Sequence, residues 1–139
     1  MKKCSFYIIT FIVASLLFVG CASNNEIKAN LGQEFALSIN QSAQIEGENL
    51  YISFKEVLED SRCATGATWI WEGRVSIALD IKHNGSPYKM VLVQYGLNNQ
   101  YASETYETYR LDFKVNPYPI LGTEIAKDDY QLFLTVSKR

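Results

Sequence analysis

Very little in this chain of 139 residues can hold a metal or drive nucleophilic chemistry. It has one His, His83, and three Cys, and one of these, Cys4, falls in an apolar leader. A zinc site needs three or four Cys or His ligands, and the domain beyond the leader has one of each, Cys63 and His83. A Ser–His–acid triad would rest on His83 alone. That residue stands beside Asn84-Gly85, where a His reads as a solvated turn residue, and there is no Gly-x-Ser-x-Gly elbow. Adjacent acids occur at Asp128-Asp129 and at Glu59-Asp60 with Glu72, but without the Asp-x-Asp-x-Asp-Gly spacing of a calcium loop. Nothing fixes a pair of carboxylates at the separation that glycoside hydrolysis needs. A phosphate-cradling Gly loop is missing too. With 13 Lys and Arg against 15 Asp and Glu the net charge is −2, so the basic footprint of a nucleic-acid binder is missing. These absences predict a non-enzyme with no catalytic residues, no metal and no cofactor.

What is there begins with the leader. Met1-Lys2-Lys3 is positive, residues 6–19 are apolar and uncharged, and Gly20-Cys21 follows at once. This is the layout of a secretory signal. The tail LLFVGC resembles the lipobox of bacterial lipoproteins, with Phe18 where Leu is most usual. The resemblance implies cleavage between Gly20 and Cys21 and a diacylglyceryl group on the Cys21 thiol. Ordinary cleavage after Ala22, or retention as a membrane span near the ~18-residue limit, are the other fates of such a segment. A lipid anchor contributes about 0.8 kcal/mol per buried methylene, and stable attachment needs more than one chain. The expected location is therefore the lipid-anchored surface of a membrane in the cell envelope, the outer membrane if the host has one. The leader carries two Lys and no acid, so its removal takes the net charge from −2 to about −4.

The polar stretch 22–33 has no period and reads as a flexible tether, which puts the folded domain at residues 34–139. Beyond it, apolar residues alternate at Phe35, Leu37 and Ile39; at Leu50, Ile52 and Phe54; and at Val75, Ile77, Leu79 and Ile81. They alternate again at Tyr109, Leu111, Phe113 and Val115, and at Tyr130, Leu132, Leu134 and Val136. A period of two with one polar face marks half-buried antiparallel strands. Asn84-Gly85 is a hairpin signal. The segment Glu46 to Asn49 is a turn, and Pro117 and Pro119 rule out a central strand there. About seven antiparallel strands and no convincing helix predict a single all-β domain, a β-sandwich of immunoglobulin-like size; a small β-barrel is the alternative.

Residues 56–73 read EVLEDSRCATGATWIWEG. With Phe54, this segment resembles one found in small exported bacterial proteins of uncharacterised function, often lipoproteins. Their pattern runs F-x-x-V-x-E/D-D-S-R-C-P-x-x-V-x-C-x-W-x-G. Asp60, Ser61, Arg62, Cys63, Trp71 and Gly73 match it. The opening LGQEFALSINQSAQI and the closing P-Y-P…Y-x-L-x-L-x-V segments fit as well, so the resemblance spans most of the domain. It implies export and fold and carries no activity. The second Cys of the pattern falls on Trp69, so the implied bridge has no partner here and Cys63 reads as half of a lost disulfide.

Function is expected at surfaces. Residues 95–109 hold four Tyr among Asn, Gln, Ser and Thr, the chemistry of loop paratopes. Tyr101 and Tyr106, together with Trp69 in its loop, form the expected binding surface, while Tyr95 and Tyr109 fall at strand ends. Period two carried back from Val75 through Gly73 puts Trp71 on the buried face. The expectation is a membrane-anchored, non-enzymatic module that binds a protein or glycan, or supports an envelope assembly. The alternative is an inhibitor of a secreted hydrolase, with the Trp69/Trp71 loop and the 116–121 loop as wedges. An inhibitor should gather loops into one protruding apolar edge, whereas a binder can use a sheet face.

Overall fold

The computed structural model describes residues 25–68, 70–96 and 99–139. The leader with Gly20 and Cys21, and Trp69, lie outside the described residues. Among these residues the chain forms nine strands: β1 (Glu26–Ala29), β2 (Glu34–Ser38), β3 (Ser42–Ile45), β4 (Leu50–Asp60), β5 (Arg74–His83), β6 (Ser86–Tyr95), β7 (Ala102–Tyr106), β8 (Tyr109–Asn116) and β9 (Gln131–Lys138). They build two sheets, in the orders β1-β3-β4-β5-β6 and β2-β9-β8-β7. The sheets do not close into a barrel, and the architecture is the all-β sandwich that the period-two runs predict.

Each alternating run buries the face expected of it. Ile52, Phe54, Ile77, Leu79, Ile81 and Leu92 line the inner face of the five-stranded sheet. Leu37, Leu111, Phe113, Val115, Leu132 and Leu134 face them from the four-stranded sheet, and all twelve side chains are essentially inaccessible. Asn84 and Gly85 take φ of 50° and 84° and join β5 to β6 through a two-residue turn. Both central residues at positive φ match the right-handed twist of the strands they connect.

Two expectations of organisation change. The tether of residues 22–33 contains β1, which runs parallel to β3 in the register Glu26–Ser42 to Ala29–Ile45. Ala29 is buried in the core and Ile27 packs against it. A four-residue strand offers only two apolar positions, too few for a period to declare itself. The strand set is correspondingly larger than seven and is not wholly antiparallel.

The two ends of the sandwich differ. One end is closed by tight turns at residues 46–49, 84–85 and 107–108. The opposite end carries the three long connections, residues 61–73, 96–101 and 117–130.

Candidate functional site

The end with the long connections stands on a buried arginine. Arg62 follows β4 and is 6% exposed. Its Nε and Nη2 donate to Asp60 Oδ1 and Oδ2 at 2.8 and 2.6 Å. Nη1 donates to Val115 O at 2.7 Å and Nη2 to Pro117 O at 2.9 Å. The Tyr118 ring covers the guanidinium at 5.3 Å, and Tyr130 Oη donates to Asp60 Oδ2 at 3.0 Å. Burial, followed by the negative Asp60, pushes the Tyr130 phenol up to about 12.

The reason for this arrangement lies in a strand that stops short. β7 pairs with β8 only as far as Phe113, so Val115 has no ladder partner on that side. Gln94, 2% exposed at the end of β6, accepts the Val115 N–H at 2.9 Å and donates to Gln100 O at 2.6 Å. Arg62 takes the Val115 carbonyl. Two buried polar side chains, one on β6 and one just past the end of β4, thus finish the ladder of the other sheet, as buried backbone groups require.

Above this base the 61–73 and 117–130 connections are joined. Thr65 pairs with Ile120 in an isolated parallel bridge. Thr65 N donates to Pro119 O at 3.0 Å, and Leu121 N donates to Thr65 O at 3.2 Å. Gly73 brings the loop back to β5 with φ of 65°, so close to the β4 end that a Cβ there would sit 2.0 Å from Ser61 O. Ser61 N in turn donates to Arg74 O at 2.8 Å. Outside, Arg74 and Glu59 clamp the same neck at 3.0 Å, and the hydrogen bond from Arg74 holds the Glu59 carboxyl below its ordinary value. The apolar side chains of the joined loops point to solvent: Ile70 is 95% exposed, Trp71 81%, Ile120 58% and Leu121 60%.

The residues singled out from the sequence divide accordingly. Asp60, Ser61, Arg62, Cys63 and Gly73 come together as the foundation of this end. Cys63 is buried and its Sγ donates to Trp71 O at 2.5 Å, which fixes the backbone of the loop. Trp71 is exposed rather than buried. The positive φ of Gly73 breaks the alternation, and β5 begins only at Arg74, so strand parity does not carry back to residue 71.

Of the expected binding residues, Tyr101 and Tyr106 stand at opposite ends of β7 and do not come together, and Trp69 lies outside the described residues. Tyr106 is buried at the opposite end, with its ring 5.2 Å from Tyr88 and 6.2 Å from His83. Its place at the last residue of β7, paired with Tyr109, turns it inward. Tyr101 is about half exposed but is fixed by a hydrogen bond to Glu34 and by Lys114 Nζ 4.8 Å over its ring. The bond to Glu34, more than burial, pushes its phenol up to about 12.

His83 also departs from expectation. Its side chain is only 16% exposed, and Nδ1 lies 2.7 Å from Glu107 Oε2. It caps an aromatic cluster with Tyr106 and Tyr109 rather than standing in water.

Sequence reasoning reached the two loops but not Ile70, Ile120 and Leu121 as their exposed tips. The available signal was apolar residues set among the punctuation of a loop rather than in a period. Comparisons with family models, with curated proteins and with solved structures found no match, so the site's own geometry carries the functional reading.

Proposed function

We propose that this chain is an exported, lipid-anchored binding module without catalytic machinery, and that it grips a partner protein with its loop end. The observation that carries this reading is the pair of hydrogen-bonded loops that hold Ile70, Trp71, Ile120 and Leu121 out to solvent. Exposed apolar side chains on a prearranged backbone bind at low ordering cost, and Trp is enriched among residues that dominate interfaces. Arg62, Gln94 and Gly73 supply that rigidity from below. Exposed apolar tips on two joined loops suit insertion into a cleft, so inhibition of a secreted hydrolase is the form of binding that this reading favours. The leader and Cys21 support delivery to the cell envelope and anchorage at a membrane surface.

The test is a panel of secreted proteases and glycosidases assayed with the full-length protein and with Trp71→Ala and Leu121→Asp variants. Tight inhibition of one enzyme, weakened at least about tenfold by either change, is the expected result, a difference of about 1.4 kcal/mol. If no enzyme is inhibited, the inhibitory form fails. A partner whose binding ignores both substitutions removes the loop-end reading altogether.

A further inference from the structure

A second surface lies away from the loops. The outer face of the five-stranded sheet carries a groove of about 740 Å³. The register puts Glu26, Ser42, Ser53, Asp80 and Lys89 in one line across all five strands. Tyr51, Lys82 and Pro87 form the next line and line the same groove. At ~4.8 Å per strand the groove is about 19 Å long, and Asp80 is about 20 Å along β5 from the loop end at Arg74.

On the same sheet Lys28 pairs with Glu46 and Arg74 with Glu59. Glu26, Asp80, Lys82 and Lys89 make no ion pair among the described residues, although Asp80 and Lys89 are direct cross-strand neighbours. Asp80 is moreover half-buried on the groove floor. Ser42 and Ser53 share a hydrogen bond at 2.7 Å, and Tyr51 Oη accepts from Gln44 at 3.1 Å, so the neutral groups are already positioned.

Two acids and two lysines leave the groove without net charge. A phosphate-bearing chain calls for a surplus of cations. Calcium calls for clustered oxygen ligands, and the described residues hold no group of three candidate ligands. An extended neutral ligand rich in hydroxyls fits both the length and the chemistry. Its hydroxyls donate to Glu26 and Asp80, accept from Lys82 and Lys89, and exchange with the two serines, while Tyr51 and Pro87 offer apolar contact to ring C–H faces. We propose that this groove binds a neutral oligosaccharide.

Full-length protein in a detergent without sugar headgroups, titrated calorimetrically with cellohexaose, chitohexaose and maltohexaose, provides the test. Saturable binding of at least one is expected, weakened at least about tenfold by Tyr51→Ala and by Asp80→Asn, or about 1.4 kcal/mol. Lys89→Ala, on an exposed edge position, gives the same loss even where Tyr51→Ala disturbs folding. Trp71→Ala leaves sugar binding unchanged, which separates this site from the loop end. No saturable binding to any of the three overturns the proposal. So does binding that survives all three groove substitutions, or a preference for a polyanion such as heparin over the neutral chains.

Discussion

Arg62 and Asp60 explain why an Asp-Ser-Arg run sits at the end of a hydrophobic strand. The pair is almost wholly buried, with side-chain exposures of 1% and 10%, and the guanidinium also serves one carbonyl of the other sheet and one of the connection that follows it. Arg62→Met leaves Asp60 buried without its counter-charge and strands the Val115 carbonyl. It is expected to cost about 3–5 kcal/mol by urea unfolding. Gly73→Ala should cost well over ~1 kcal/mol, because an L-residue is strained at that φ and its Cβ meets backbone, which cannot swing away. Tyr109 and Tyr130 hold phenols raised from 10.0 to about 12, chiefly by burial. The folded state keeps those protons longer than the unfolded one. Stability is therefore insensitive to them at neutral pH and is lost as pH rises from about 10 towards 12. The urea midpoint followed across that window should fall, and fall less steeply in Tyr130→Phe. None of these roles was legible in one dimension. The carbonyls that Arg62 serves lie 53 and 55 residues away in sequence, and nothing local marks Val115 as lacking a partner on its β7 side.

Strands were legible wherever one face is buried over several residues. β5 shows this best, with Val75, Ile77, Leu79 and Ile81 at under 2% exposure and Arg74 and Lys82 outward. β7 (ASETY) escaped because it is short and exposed at an edge, and β1 because two apolar residues make no period. β4 obscures its own far half with register shifts after Phe54 and Val57, which move the inward positions off simple alternation. A chain beginning at Asn30 should unfold at lower urea than one beginning at Asn25, since it loses the β1–β3 ladder and Ala29. Equal midpoints would mean that β1 adds nothing to stability. In the loops the burial that parity predicts for Trp71 does not hold, since the side chain is exposed. Trp71→Ala should change stability by no more than about 0.5 kcal/mol, as for a surface site, while impairing partner binding. A loss of several kcal/mol in the same urea experiment would show that the ring packs into the core.

At the scale of the whole molecule the sandwich separates its jobs. A closed end of tight turns is sealed by His83, Tyr109 and Glu48, whose carboxylate accepts from Tyr109 at 2.7 Å and lies 2.6 Å from Lys138 Nζ. The opposite end presents apolar loops, and one sheet face holds the polar groove. The leader belongs to this scale as well. Cys21→Ala should abolish labelling of the protein with a radioactive fatty acid, and blocking the lipoprotein signal peptidase should accumulate an uncut chain. Normal processing under both treatments would remove the lipid anchor from the proposal.

The pairing of β1 with β3 has a consequence for reach. A leash of residues 21–33 would let the domain wander up to about 40 Å from an anchored Cys21, but folding that begins at Glu26 leaves about 17 Å of chain at full stretch. Glu26 is also the rim of the groove. Were Cys21 lipidated as proposed, the domain would ride like a moored float rather than a fishing line, and a ligand in the proposed groove would have to lie close to the lipid headgroups.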